Sequence, residues 1–333
     1  IKYHIHDSGL EAYVLANNYK GDIIIPPYIQ YDGKLRIPVK TIAYAAFRDC
    51  DELTSVSLPE GLSTIENRAF EGCTQLKEII IPDTVVCIQS NAFSKCKSLQ
   101  KVKLPHMLMH IDYDMFWECE SLQEIDIPPH VKSIASHGFY KCTQLRRISL
   151  PEGLEEIGRY CFASCENLTE IRLPSTAVHL DDSIFVHCEK LQHITLPATL
   201  NYIPDSCFLG CHELTDIQIP PSVDWIGEYA FHWTALQQAQ ANQLQYMGDV
   251  LSGGQLPETQ QGVLRVKDGT RCIANRAFYE NEELTELILP ASVETIGEEA
   301  FAHCKNLKRL HLAEGLKTIG LSAFAHCSAL EAI

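Results

Sequence analysis

No stretch of about 18 or more apolar residues occurs in this chain, so no segment of it is suited to crossing a membrane as a helix. Positive charge is also scarce. Against 27 Lys and Arg stand 43 Asp and Glu, a formal net charge of −16, and a surface of that sign repels phosphate backbones and argues against nucleic-acid binding. The opening IKYHIHDSGL lacks the basic start and apolar centre of a secretory leader. The chain does not begin with Met, so loss of a leader from the natural protein stays open. None of the fourteen histidines, including the neighbouring-coil pair His303 and His326 and the strand pair His4 and His6, completes a metal-ligand set of typical spacing. They read as solvated surface side chains. Neither a catalytic triad nor a paired-carboxylate motif stands out, so the expectation is no metal, no cofactor and no enzymatic activity. Phenylalanine, finally, is missing from every position except one phase.

That phase is the first thing the sequence does contain. The twelve phenylalanines fall at 47, 70, 93, 116, 139, 162, 185, 208 and 231, then, after one interval of 47, at 278, 301 and 324. The repeat is 23 residues long. In Asn67–Ile88, NRAFEGCTQLKEIIIPDTVVCI, counting from Phe70 places Cys73 at +3, Leu76 at +6, Ile79 at +9, Ile81 at +11, Pro82 at +12, Val85 at +15 and Ile88 at +18. A fixed period in this range marks a stacked array whose coils bury one continuous core. The Leu-x-x-Ile-x-Ile segment alternates as a half-buried strand does, and Pro ends it because it cannot donate to a ladder. The Ala-Phe-x-x-Cys segment has helical spacing and predicts one or two helical or 3₁₀ turns on the opposite side.

Four regions follow. Residues 1–40, with Gly21, Pro26, Pro27 and Gly33 as punctuation, read as short strands forming an atypical terminal unit that caps the core. Residues 41–236 are regular repeats. Residues 237–271 break phase with a Gln- and Gly-rich excursion, expected to be hairpin-like, and either a functional loop or a tolerated one. From 272 the repeats resume and stop in mid-strand at Ile333, an exposed parallel edge that invites self-association.

The pattern Cys-x-x-Leu-x-x-Ile-x-Ile-Pro-x-x-Val-x-x-Ile-Gly-x-x-Ala-Phe, displayed in CTQLRRISLPEGLEEIGRYCF (142–162), resembles the BspA-type, or treponemal-type, leucine-rich repeat. The resemblance covers nearly the whole chain. It implies an α/β solenoid, a right-handed superhelix with a concave parallel β-sheet and short turns opposite. It further suggests a bacterial surface or secreted protein, adhesin-like, whose partner is a protein such as a host extracellular-matrix or cell-surface component. The departures include Thr234 and Asn281 in place of the +3 Cys, and Ala313 in place of Pro.

Ten of the fourteen cysteines occupy the +3 column. Together with the phenylalanines they predict a structural ladder through Phe70, Cys73, Phe93, Cys96, Phe139 and Cys142, its thiols packing as small hydrophobes. Neighbouring Cα atoms at about 4.8 Å are also within disulfide range. So many free thiols suit a reducing or anaerobic setting, which leaves a cytoplasmic location open.

Two surfaces are candidates for recognition. On the sheet face, Glu78, Lys101, Glu124, Arg147, Glu170 and His193 form the +8 column, and Lys103, Asp126 and Arg172 stand at +10. Alternating signs either neutralise one another from strand to strand or present a patterned face to a protein. The other surface is aromatic: Trp117 with Tyr140 at +1, and Tyr202 with Trp225 at +17. Each pair is expected to stand adjacent, either as simple ring packing or as a platform for a glycan or protein hot spot. Non-covalent protein recognition is the favoured function, with a self-assembling scaffold or glycan binding as alternatives.

Overall fold

A computed structural model describes residues 1–6, 11–240, 243–257 and 261–331, in two compact units, Ile1–Thr195 and Leu196–Ile333. Each unit is a solenoid of stacked coils. Among the described residues the one α-helix is the single turn Ala235–Gln238, capped by the Thr234 hydroxyl.

In the first unit each coil from that of Phe70 to that of Phe185 contributes a three-residue strand at +8 to +10. Examples are Glu78–Ile80 beside Lys101–Lys103, Glu124–Asp126 beside Arg147–Ser149, and Glu170–Arg172 beside His193–Thr195, all parallel and in register. The middle residue of each points inward, as Ile79, Ile125 and Ile171 do, because period-2 alternation puts neighbours on opposite faces. A second parallel ladder joins the two-residue strands at +17 and +18, such as Ser133–Ile134, Glu156–Ile157 and His179–Leu180.

A third ladder runs through the Phe turns. The Phe47 N–H donates to Ala69 O of the next coil at 2.7 Å, flanked by Ala45 to Asn67 O at 3.0 Å and Asp49 to Glu71 O at 2.7 Å. Aiming these alternate donors at the next coil requires left-handed backbone two residues before and two after each Phe. All twelve turns have it, from Ala45 (φ 52°) and Asp49 (φ 56°) to Ser322 (φ 56°) and His326 (φ 59°). A non-glycine residue pays roughly 1–2 kcal/mol for that conformation. Three inter-coil hydrogen bonds of about 0.5–1.5 kcal/mol each, together with burial of a Phe, offset it. Bonds of the i to i+3 kind close the turns, as from Arg48 N–H to Ala45 O and Cys50 N–H to Phe47 O. These are the expected short turns, kept from continuing as helix by the left-handed residues.

Inside, Phe47 through Phe185 are fully buried. Phe47 to Phe162 stack at 4.9–5.7 Å with planes within 13°. The +3 cysteines are free thiols, and each one bonds its neighbour: Cys73 Sγ donates to Phe47 O, Cys96 to Phe70 O and Cys142 to Phe116 O, at 3.1–3.2 Å. Burial pushes the Cys188 thiol up to about 12, so the column stays protonated and can donate.

At the N-terminal end, Tyr3–Ile5 pairs antiparallel with Ala12–Val14, and Tyr28–Tyr31 with Leu35–Ile42. The second hairpin turns through left-handed Asp32 and Gly33, as tight hairpins require. Tyr19, 5% exposed, lies 4.6 Å from Phe47 and covers the end of the ring stack.

The second unit repeats the design, with Phe208 on Phe231 (5.4 Å) and Phe278 on Phe301 (5.5 Å) on Phe324 (5.3 Å). Between the Phe231 and Phe278 turns, Leu244–Met247 pairs antiparallel with Val250–Gly254 around Gly248 (φ 65°), and Val250–Leu251 joins the parallel ladder at Cys272–Ile273. The end of the C-terminal strand expected at Ile333 lies outside the described residues.

Candidate functional site

The sheet face of the first unit gathers the charged columns. Parallel pairing sets Lys101 beside Glu78, Glu124 beside Arg147, and Glu170 beside His193, all with exposed side chains. Lys103, Asp126 and Arg172 are exposed on the same face. Around Glu78, Lys101, Lys103, Glu124 and Asp126 lies an open hollow of about 640 Å³. Beside the charges stands Ile80, 64% exposed, an apolar residue at a position where solvent favours polar ones.

Along the +8 column of this unit the alternating charges stand on neighbouring strands without closing into direct ion pairs. Among the described residues no ion pair joins Glu78, Lys101, Glu124, Arg147 or Glu170 to another member of the column. The one ion pair at these positions runs sideways, from Arg172 to Glu152 at 3.2 Å, with both side chains more than 60% exposed. Inter-coil pairs form elsewhere instead: Lys97 with Glu120 and Lys132 with Glu155, both at 2.8 Å. Two long side chains in water lose as much in rotamer freedom as an exposed pair returns, so proximity alone does not close them. The second unit shows what does. There Glu286, its side chain 14% exposed, receives Arg309 at 2.6 Å and His311 at 2.8 Å. Those two donors, Arg309 first, hold its carboxyl down at about 2.

The aromatic surfaces divide. Tyr202 and Trp225 are strand partners, half-buried, with ring centroids 5.9 Å apart and tilted by 55°. Trp117 and Tyr140, expected to stand as a pair, make no ring contact with each other among the described residues. Lys95 Nζ lies 5.1 Å from the Trp117 ring, while Tyr140 turns edge-on to His137 and Tyr160. The left-handed residue between them, His137, supplies the nearer ring and redirects Tyr140. His137 stacks on Tyr160 at 5.6 Å with planes 2° apart, and Arg159 and Lys141 lie over the tyrosines. This cluster was not legible as a site, since His137 and Tyr160 belong to the −2 column, whose residue types share nothing.

Among the described residues no group of His, Cys, Asp and Glu is arranged to hold a metal ion, and no helix is long and apolar enough to cross a membrane.

Comparison with known proteins follows the same lines. The family described as "BspA type Leucine rich repeat region" matches in six copies over residues 34–146, 132–249 and 264–333. Among solved structures, the chain is similar to a leucine-rich repeat protein from Bacteroides ovatus: 28% identity, TM-score 0.67, covering 99% of this chain and 91% of that one. A leucine rich cell surface protein from Faecalibacterium prausnitzii is 21% identical over 93% of this chain and 92% of its own, with a TM-score of 0.39. No curated protein sequence matches.

Proposed function

Because the chain belongs to the BspA-type leucine-rich-repeat family, a class of protein-interaction scaffolds, we propose that it works by non-covalent recognition of a protein through the sheet face of its first unit. The observation that carries this reading is the set of exposed charges there which, in this unit, are left unpaired with one another. A partner of complementary pattern can satisfy them with only the exposed Arg172–Glu152 pair to displace, and Ile80 offers an apolar contact among them. The partner is a surface-exposed or extracellular-matrix protein, and the chain acts at the cell surface or after secretion, as an adhesin would.

The test is binding of the purified chain to a panel of immobilised matrix proteins, beside a variant carrying Lys101→Glu, Arg147→Glu and Arg172→Glu. Binding that is lost in the variant, with its circular dichroism unchanged, and that weakens with salt supports the reading. Equal binding by both chains refutes the site, and binding to glycans that is lost with Trp225→Ala moves it to the aromatic pair.

A further inference from the structure

The turn ladder is interrupted once inside the second unit. In the coil before the break, Ser206 and Phe208 donate their N–H groups to Glu228 O and Ala230 O of the next coil at 2.8 Å, and Gly210 donates to His232 O at 2.9 Å. The corresponding donors one coil later are Tyr229, Phe231 and Trp233. Trp233 is closed internally by the Gln237 side-chain oxygen at 2.9 Å. Tyr229 N–H and Phe231 N–H have no acceptor among the described residues. On the far side, Asn275 O and Tyr279 O occupy the positions that elsewhere accept from a preceding turn, and here no donor among the described residues reaches them.

Between these walls lies a cavity of about 340 Å³, lined by Tyr229, Phe231, Asn275 and Tyr279 and by Gly253 of the hairpin. It is narrowed at one end, where Asn275 N–H bonds Ile226 O at 3.1 Å and Arg276 reaches Glu228 at 2.6 Å. The hairpin fills the core side: a Cβ on Gly253 would stand 2.7 Å from Ala277 O. What is left is a gap at the low end of ligand-pocket size, with donors on one wall and acceptors on the other.

We propose that this gap is a binding slot for a short peptide with small side chains, held in the same alternation of right- and left-handed backbone as the Phe turns, which supplies the backbone rung missing from the array. The peptide's carbonyls accept from Tyr229 and Phe231, and its N–H groups donate to Asn275 O and Tyr279 O. A backbone in that alternation turns its carbonyls to one wall and its N–H groups to the other, as each rung of the turn ladder does. The slot lies in the second unit, apart from the sheet face of the first, and stands or falls independently of it.

The experiment uses the full ¹⁵N-labelled chain and the probe Ac-Ala-Ser-Ala-Ala-NH₂, whose first and last N–H groups are spaced as the ladder's donors to the −3 and +1 carbonyls are. In the free protein the Tyr229 and Phe231 amides exchange with solvent quickly, whereas the Phe208 amide is protected. Titration shifts the two amides downfield, saturating below about 1 mM, and slows their exchange at least tenfold. The same peptide N-methylated at every amide, which cannot donate, produces no shift. Ser252→Trp, which fills the slot, abolishes the shift if the variant folds; the N-methylated arm decides the matter if it does not. Protection of both amides in the free protein, or an equal response to the N-methylated peptide, overturns the proposal.

Discussion

Ser164 offers a clean test of whether the coils impose the left-handed turns. It sits two residues after Phe162 at φ 58°, donates its N–H to Val186 O at 2.7 Å, and its hydroxyl makes no hydrogen bond among the described residues. Replacing it by glycine removes a conformational strain of roughly 1–2 kcal/mol, while freeing the unfolded chain costs about 0.5–1 kcal/mol. The net is a gain of about 0.5–1 kcal/mol. Ser164→Val keeps the strain and adds β-branching where the backbone tolerates it least, a loss of about 1–2 kcal/mol. For a unit of this length each kcal/mol moves the midpoint by about 2–4 °C. Thermal and urea unfolding of the two variants should therefore separate them by roughly 2–3 kcal/mol, glycine above wild type and valine below. If glycine and valine unfold within about 0.5 kcal/mol of each other, the inter-coil hydrogen bonds do not hold this turn left-handed, and the account of the third ladder fails.

The ring stack should respond more strongly. Phe116, fully buried between Phe93 and Phe139, loses about 3–5 kcal/mol on change to Ala, with amide exchange rising most in its own and the two adjacent coils; uniform loosening across the first unit would contradict nearest-neighbour coupling. Thiol labelling of the native protein should find one readily accessible cysteine, Cys87, and all fourteen groups after denaturation without reductant; a shortfall after denaturation would mean disulfides. Glu286 is held down at about 2 by Arg309 and His311. A depressed carboxylate stabilises above its unfolded value, about 4.3, and that contribution fades as pH falls from there towards 2. Glu286→Gln should flatten this part of the stability profile, and an unchanged acid limb would show that the cluster does not form in solution.

The repeat period was enough to say which residues become neighbours. Residues in one phase stand one above another in successive coils, so the Phe stack, the thiol column, the inward isoleucines and the Tyr202–Trp225 pair all follow from counting. Directions were not available from counting. The −2 and +2 columns mix Asp, Asn and His with Ala, Arg, Ser, Tyr, Glu, Lys and Trp, and hold glycine only at Gly72 and Gly210, so residue type marks the left-handed backbone only weakly. In the regular coils it goes with three N–H groups that meet carbonyls of the next coil, and it persists in the Phe231 turn, where Tyr229 and Phe231 find no such carbonyl among the described residues. Trp117 and Tyr140 share a column without touching. Adjacent Lys101 and Glu78 stay unpaired while Glu286 gathers Arg309 and His311, because an exposed pair gains little over water and a tucked-in carboxylate gains more. The slot beside Tyr229 and Phe231 was legible only as a missing phenylalanine near Gly254. That the irregular interval leaves Tyr229 N–H, Phe231 N–H, Asn275 O and Tyr279 O without backbone partners among the described residues shows only in the three-dimensional stacking.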